Sequence, residues 1–261
     1  MPAMSLIAVL VTSIALTPAN EPNLPRQRAD LMKTFASEFV TIKPGVGRFP
    51  TPATKLGAFA IAKYETTQEL YELVMQQNPS RWKGRRNSVE QMTYTEAVAF
   101  CRRVTELMRA ERLLPADEVV RLPTEAEWQY ACRAGTNTKY SFGENPQRDG
   151  DEEPKASTLD AYAWHHGNAA RNDPEVGVLK PNPWGLYDMH GYLWEYVSDP
   201  WRPSMAEPAG KVLPGSTPRT IRSGSWRDHY SLLTTMSRQS IPDHVRSDAI
   251  GFRCVKAGRA R

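Results

Sequence analysis

Alternating apolar and polar residues mark two segments near the start of the chain. Residues 39–44 (FVTIKP) and 57–65 (GAFAIAKYE) place apolar side chains at every second position over much of their length. A period of two is typical of a strand with one buried face. We therefore predict a strand in each segment.

Three helices are predicted next. Each begins at a capping box, in which a threonine hydroxyl and a glutamate three residues later bind free backbone amides. The pairs are Thr66 with Glu69, Thr93 with Glu96, and Thr124 with Glu127. Apolar residues follow at helical spacing, and Gly135 is suited to end the third helix, which runs from Glu125 to about Ala134. Beyond it we predict mostly loops until two short strands at 219–222 and 251–256.

The first 19 residues carry no charged side chain, and residues 5–16 form a mostly apolar run. Small residues at Thr17 and Ala19 suit a signal-peptidase site, and the run is shorter than the roughly 20 residues that span a membrane. We predict a signal peptide over 1–19 and a secreted or periplasmic protein. The alternatives are a buried first helix and an uncleaved anchor. The polar residues 20–38 are predicted to be a linker or arm.

Composition narrows the class of protein. The chain has 261 residues with 33 basic and 29 acidic side chains, and a net charge of +4 does not predict a nucleic-acid partner. Its 40% hydrophobic content is typical of a globular protein. Three cysteines exclude a dense disulfide framework and a four-cysteine zinc site. These features predict an α+β domain whose long loops would carry its binding site.

Three segments in this order point to one family. They are residues 120–135 (VRLPTEAEWQYACRAG), 181–195 (PNPWGLYDMHGYLWE), and 222–226 (RSGSW) together with 251–253 (GFR). They resemble the sulfatase-modifying-factor superfamily, which includes formylglycine-generating enzymes, sulfoxide synthases and a pyoverdine-maturation protein. The resemblance covers residues 39–257 and leaves 258–261 as a tail. It implies a single, loop-rich α+β domain of the formylglycine-generating-enzyme type, distantly related to C-type lectins.

The copper chemistry of that family does not carry over. In formylglycine-generating enzymes, two thiols after the Gly-Ser-Trp strand hold Cu(I) and engage the cysteine of a Cys-x-Pro-x-Arg peptide. Here residues 227–238 contain no cysteine, and Asp228 and Leu233 occupy the thiol positions on an ungapped reading. Cu(I) requires soft thiolates, so we predict that copper is not bound. The iron-binding motif of the sulfoxide synthases, His-x3-His-x-Glu, is not in this sequence, and iron stays undetermined.

Asp228 and His229 fall where the resemblance places the groove. An imidazole beside a carboxylate can act as a general base, so these two residues are the predicted catalytic pair if the protein is an enzyme. The alternative is a hydrogen-bonded groove lining.

The resemblance also implies residues along the groove, namely Trp194, Ser225, Trp226 and Arg238. Three other tryptophans, each next to Arg or His in a predicted loop, are candidates for stacking or cation–π contact with a ligand. They are Trp82, Trp164 and Trp201.

A structural calcium ion is implied at Asp188, Gly191, Leu193 and Glu195. The two acids would supply carboxylates and the other two backbone carbonyls, which are the hard oxygen ligands that Ca²⁺ takes. The alternative is a tight turn in which Asp188 caps local amides.

The resemblance further implies a disulfide between Cys101 and Cys254, as in exported family members. The position that would pair with Cys132 has no cysteine, so we predict a free thiol there. Its alternative role is that of a small buried apolar residue.

Several functions are compatible with these observations. We favour an exported domain that acts as a ligand- or peptide-binding or accessory protein-maturation module. The first alternative is an oxidoreductase with different oxygen- or metal-dependent chemistry in the same groove, resembling the pyoverdine-maturation branch. Others are formylglycine formation by an unusual route and, on fold analogy alone, carbohydrate binding. The partner is an undetermined peptide, protein or small molecule, with membrane contact only if the N-terminal segment stays uncleaved.

Overall fold

The computed structural model describes residues 24–170, 173–203 and 217–258, so the predicted signal peptide lies outside the described residues. The helices within them are α1 (Leu24–Ser37), α2 (Gln68–Met75), α3 (Tyr94–Ala110) and α4 (Glu125–Arg133). The strands are β1 (Phe39–Ile42), β2 (Phe59–Ala62), β3 (Glu118–Arg121), β4 (Trp194–Pro200), β5 (Pro218–Arg222), β6 (Arg238–Pro242), β7 (Ile250–Gly251) and β8 (Val255–Gly258). This mixed content with long loops is the predicted α+β class.

Two of the predicted capping boxes are confirmed. At α3, Glu96 N donates to Thr93 Oγ1 over 3.3 Å, and Thr93 N donates to Glu96 Oε2 over 2.8 Å. At α4 the corresponding bonds between Thr124 and Glu127 measure 3.1 and 2.8 Å. Both reciprocal bonds satisfy backbone amides that a helix start leaves free.

The predicted box at the start of α2 is wrong. This helix begins one residue later than the box requires, after Thr67, whose side chain makes no capping bond. The Thr66 backbone is engaged elsewhere: its N donates to Phe252 O, and its O accepts from Val89 N, both over 2.8 Å. Tertiary hydrogen bonds therefore hold this residue in the loop that precedes the helix.

The strands form two four-stranded sheets. The first has the order β1-β2-β8-β3 with antiparallel neighbours. The second has the order β6-β5-β4-β7, and its β4–β7 pair is parallel. Strand β7 thus belongs to the second sheet and strand β8 to the first. Residues 252–254 connect these two strands and therefore link the two sheets.

The main core lies between these sheets and helices α2 and α3. Tyr71 of α2 stacks on Phe100 of α3 at 5.5 Å between ring centroids, and Phe252 meets the Phe100 ring edge-on at 5.3 Å. All three rings are buried. Aromatic contacts of this kind stabilise a core beyond the burial of apolar area.

Helix α1 occupies most of the segment that we predict to be a linker or arm. Its Met32 and Phe35 are buried in the same core cluster as helices α2 and α3. This part of the predicted arm therefore packs against the folded domain.

Loops fill much of the chain between α4 and β4. Among the described residues of 134–193, the regular structure is one 3₁₀ turn at Leu159–Ala161. The prediction of loops up to residue 219 is wrong at β4, whose first four residues are all buried and therefore do not alternate. No helix in the described part of the chain is both long and apolar enough to cross a membrane.

Candidate ligand-binding site

Loops from five parts of the chain enclose a cavity of about 510 Å³. Its walls are rich in aromatic rings and carboxylates, and this volume is within the range of small-molecule sites. Aromatic side chains are supplied by Trp82, Trp164, Tyr192 and Trp226, and carboxylates by Glu90, Asp173 and Asp248. The cavity lies beside the Gly-Ser-Trp loop that follows β5.

The wall around Trp82 is held by a buried carboxylate. Glu90 Oε1 accepts from the backbone amides of Arg81 and Trp82, the latter over 3.1 Å. Gln68 Nε2 at the start of α2 donates to Trp82 O over 2.7 Å. These bonds fix the loop after α2, while the Trp82 side chain stays 46% exposed at the cavity wall.

The opposite wall is built around Tyr192. Tyr192 N donates to Trp164 O over 3.0 Å, and Trp226 N donates to Tyr192 O over 2.9 Å. Trp226 Nε1 in turn donates to Asp248 O over 3.0 Å. Backbone bonds therefore link three loops and set the positions of both tryptophans.

Gly191 makes this arrangement sterically possible. Its φ is +149°, and a Cβ there would lie 2.5 Å from Trp164 O and 2.6 Å from Leu233 Cδ2. A side chain would collide with the backbone that carries Trp164, so a glycine is needed here.

Several polar atoms of the cavity wall have no partner. They are Glu90 Oε2 and Trp164 Nε1. Glu90 is only 4% exposed, and a buried polar group without a partner costs free energy. Both atoms are shielded from solvent, so a ligand would contact them directly only after a local shift of the wall.

Two carboxylates of the cavity, Glu90 and Asp173, have raised pKa values. Burial raises the pKa of Glu90, and the nearby charges of Asp248 and Asp173 raise it further, against the amide bonds that lower it. Burial also raises the pKa of Asp173, which accepts a 2.6 Å bond from Asn87 Nδ2. A nearby cation would favour the charged form of both groups.

The predicted catalytic pair does not form a dyad. Asp228 Oδ2 accepts from Trp194 Nε1 over 2.8 Å and from Ser225 N and Oγ over 2.9 and 2.6 Å. His229 Nε2 instead contacts Glu153 Oε2 at 2.8 Å, and its Nδ1 contacts Ser231 Oγ at 2.9 Å. Asp228 is a hydrogen-bonded support of the loop, and His229 belongs to a separate surface cluster.

The predicted groove residues divide into two places. Trp226 lines the cavity, whereas Trp194 and Ser225 are not among its lining residues and instead bond to Asp228. Arg238 lies elsewhere: its Nε is 2.8 Å from Glu125 Oε1, and its guanidinium stacks over Trp201 at 4.3 Å. Arg238 and Trp201 are therefore not among the cavity residues.

The adjacent residues His165 and His166 have different surroundings. His165 is buried, and its Nε2 lies 2.7 Å from Asp160 Oδ1. His166 lines the cavity.

The three cysteines are all buried. Cys101 and Cys254 are free thiols in this structure, so the predicted disulfide is not formed there, although their Sγ atoms lie 3.9 Å apart in the core. Burial raises the pKa of Cys132 to about 12. That thiol stays protonated near neutral pH, which makes it a poor nucleophile and a poor metal ligand, and its lack of a disulfide partner stays a prediction.

The residues predicted to hold calcium do not fit that ion as they are arranged here. The Glu195 oxygens accept from Arg253 Nε at 2.9 and 2.8 Å, and Oε2 also accepts from Trp128 Nε1 at 2.8 Å. Asp188 Oδ2 accepts from Gly177 N over 2.8 Å. Within the described ranges, no group of three or more His, Cys, Asp or Glu residues is placed to hold a metal. A calcium ion at Asp188 and Glu195 stays a prediction, and it requires Arg253 to release Glu195.

Reasoning from sequence identified the tryptophans of this site but missed its acids. Glu90, Asp173 and Asp248 come from loops far apart in the chain, and no spacing relates them to each other. The dipeptides Arg81-Trp82 and Trp226-Arg227 were the available signal, because each pairs a ring with a charge.

Comparison with known proteins identifies similar domains. The family described as "Sulfatase-modifying factor enzyme 1-like domain" matches residues 30–258. The chain is 27% identical to "Chaperone protein LppX" of Paenibacillus barcinonensis, over 85% of this chain and 87% of that protein. Among solved structures, Treponema denticola variable protein 1 superposes with a TM-score of 0.64 at 25% identity, covering 83% of this chain and 94% of that one.

Two further relatives match about half of the chain. The formylglycine-generating enzyme of Bos taurus is 33% identical over 52% of this chain and 38% of its own length. "Inactive C-alpha-formylglycine-generating enzyme 2" of Mus musculus is 33% identical over 54% of this chain and 44% of its own length. The chain therefore spans less than half the length of both.

Proposed function

The chain belongs to the family of sulfatase-modifying factor enzyme 1-like domains, and on that premise we propose that it is a binding module. It would bind a small ligand or a peptide, or assist protein maturation, without copper-dependent formylglycine formation. One observation carries the proposal: beside the Gly-Ser-Trp loop, where residues 227–238 hold no cysteine, there is a cavity lined by aromatic rings and carboxylates.

The positions of the three cysteines support the proposal that copper-dependent chemistry is absent. Soft thiolates are the ligands that Cu(I) requires, and the three cysteines of the chain are all buried. Cys101 and Cys254 face each other in the core, and the pKa of Cys132 is raised to about 12 by burial. None of the three lines the cavity.

The relatives are consistent with either a catalytic or a non-catalytic role. A protein named as a formylglycine-generating enzyme and one named as inactive are both 33% identical to this chain. Sequence identity therefore does not decide activity, and the site must. The relative named a chaperone, which matches 85% of this chain, favours an accessory role in protein maturation.

An oxidoreductase with other chemistry has less support. Asp228 and His229, the residues that would carry it, bind different partners and do not contact each other through their side chains. Among the described residues, no contact specifically favours that alternative.

Export from the cytoplasm is part of the proposal. It is supported by the apolar run at residues 5–16 and by the facing thiols of Cys101 and Cys254. In an oxidising compartment these sulfurs would close from 3.9 Å to the bond length of about 2.05 Å. Sequencing the N-terminus of the secreted protein tests cleavage after Ala19, and non-reducing peptide mapping tests the disulfide.

Ligand binding is tested by screening small molecules and peptides with tryptophan fluorescence. We expect compounds whose fluorescence response is lost in Trp226→Leu and kept in Trp201→Leu, because only the first tryptophan lines the cavity. Hits that are equally affected by both substitutions, or no hits in a broad screen, would contradict a binding function for this cavity.

A further inference from the structure

The distribution of charge around the cavity indicates which ligand it takes. This inference rests on the proposed binding function and concerns the same site. Two regions differ: an inner wall with Glu90, which pairs with no lysine or arginine among the described residues, and a mouth where two arginines, Arg81 and Arg227, contact the carboxylate of Asp248.

The inner wall carries uncompensated negative charge. Glu90 is held by backbone amides through Oε1, and its Oε2 has no partner. Asp173, an exposed residue at the edge of the cavity, accepts from the neutral amide of Asn87. Within the described residues that line the cavity, none is a lysine or an arginine.

Aromatic rings line the same cavity as these acids. Trp82, Trp164, Trp226 and Tyr192 all line the cavity. Ring faces attract weakly hydrated cations, and quaternary ammonium groups are typical ligands of such aromatic enclosures. An ammonium ion would also compensate the charges of Glu90 and Asp173.

The mouth has the opposite charge. Asp248 lies between two guanidiniums, with Oδ1 at 2.5 Å from Arg227 Nη2 and Oδ2 at 3.4 Å from Arg81 Nη1. These arginine side chains are 50% and 60% exposed, and they stack over Trp226 at 4.8 Å and over Trp82 at 4.7 Å. Two positive charges against one negative charge leave the mouth with a net charge near +1. Arginine forks bind carboxylate and phosphate groups.

We propose that the cavity binds a small zwitterion, with a methylated ammonium group between the tryptophans at Glu90 and an anionic group at Arg81 and Arg227. The aromatic and acidic inner wall selects the cation. The arginines at the mouth select the anion.

Calorimetric titration with four probes tests the proposal: phosphocholine, choline, its neutral isostere 3,3-dimethylbutan-1-ol, and inorganic phosphate. We expect choline to bind at least tenfold more tightly than the neutral alcohol, and phosphocholine to bind more tightly than choline or phosphate. Equal binding of choline and the alcohol would overturn the cation assignment while leaving the proposed binding function intact. Phosphocholine binding no tighter than choline would overturn the anion assignment.

Variants separate the two ends of the ligand. Glu90→Gln should weaken choline at least tenfold without weakening 3,3-dimethylbutan-1-ol, and Asp173→Asn provides the same comparison if the first variant fails to fold. Arg227→Gln should remove the advantage of phosphocholine over choline. The control is Arg85→Gln, which alters an 88% exposed arginine that pairs with Glu69 outside the cavity. It should change neither the affinity for choline nor the advantage of phosphocholine over choline. Unchanged choline binding in both acid variants would overturn the proposal.

Discussion

Glu90 shows how one residue can lower stability and define a site. Its carboxylate orients Trp82 through backbone amides, yet one oxygen lies in the cavity wall without a partner. Burying a charge without compensation is unfavourable. Such residues are common where function requires a group that folding alone would not retain.

We predict that Glu90→Gln stabilises the folded protein at pH 7. Burial raises the pKa of Glu90 in the folded state, so the folded protein holds this proton more tightly than the unfolded chain. Stability of the wild type therefore falls as pH rises from about 4.3, the unfolded value, through the raised folded value. Glutamine keeps an oxygen for the amides and has no proton to lose.

Thermal unfolding followed by circular dichroism between about pH 4 and pH 7 measures this effect. The melting temperature of Glu90→Gln should exceed that of the wild type at pH 7, and the difference should shrink toward the acidic end. A variant less stable than wild type at pH 7, with no trend in pH, would show that the carboxylate is not costly in the fold.

Gly191 and Gly185 form a matched pair for testing the close approach of the loops. Both have positive φ, at +149° and +84°, but an added Cβ meets Trp164 O at 2.5 Å in the first case and nothing within 4 Å in the second. We expect Gly185→Ala to cost about 1 kcal/mol from backbone strain and Gly191→Ala to cost clearly more. Urea unfolding compares the two, and equal losses would contradict the steric role.

At the scale of the elements, a capping-box sequence predicts the start of a helix well when the two residues of the box bind each other's backbone amides. The boxes at Thr93 and Thr124 are confirmed, because each pair of residues satisfies its own amides. The predicted start of α2 is wrong because the backbone of Thr66 hydrogen-bonds to residues distant in the chain. Strand β4 is missed because a strand that is buried on both faces does not alternate.

The capping box of α4 yields a prediction for that helix. Thr124→Ala removes the acceptor for Glu127 N and should lower the free energy of unfolding by about 1 kcal/mol. Thr124→Ser keeps the hydroxyl and serves as the control, with little change expected. Chemical denaturation measures both, and equal stability of the alanine and serine variants would contradict a capping contribution.

Helix α1 yields a second prediction at this scale. Met32 is fully buried in the main core, whereas the neighbouring Lys33 is exposed. Met32→Ala should cost about 2–5 kcal/mol, while Lys33→Ala should cost almost nothing. Denaturation curves that do not distinguish the two variants would mean that α1 is the loosely attached arm that its sequence suggests.

At the scale of the whole molecule, three sequence motifs predict the family and the fold class, whereas the sequence predicts only some residues of the site. Trp82, Trp164 and Trp226 were candidates from their positions in loops or in the Gly-Ser-Trp motif. Their assembly with Glu90 and Asp248 depends on how five loops meet, and no local pattern encodes that meeting. Asp228 and His229 were adjacent in sequence, yet the turn after Trp226 directs them to different partners.

The molecule as a whole thus keeps the family fold, and we propose that it carries a different kind of site. In the loop after the Gly-Ser-Trp motif, Asp228 bonds to Ser225 and Trp194, and an aromatic cavity lies beside this loop. A cavity of this composition is suited to recognition, and it offers no thiolate to activate oxygen.

The most direct measurement of this central claim is a peptide conversion assay. The purified protein is incubated with a Cys-x-Pro-x-Arg peptide, copper and oxygen, and the mass of the peptide is measured by mass spectrometry. A parallel reaction with the bovine formylglycine-generating enzyme is the positive control. We expect the bovine enzyme to convert the cysteine to an aldehyde and this protein to leave it unchanged. Conversion by this protein that depends on copper would contradict the account.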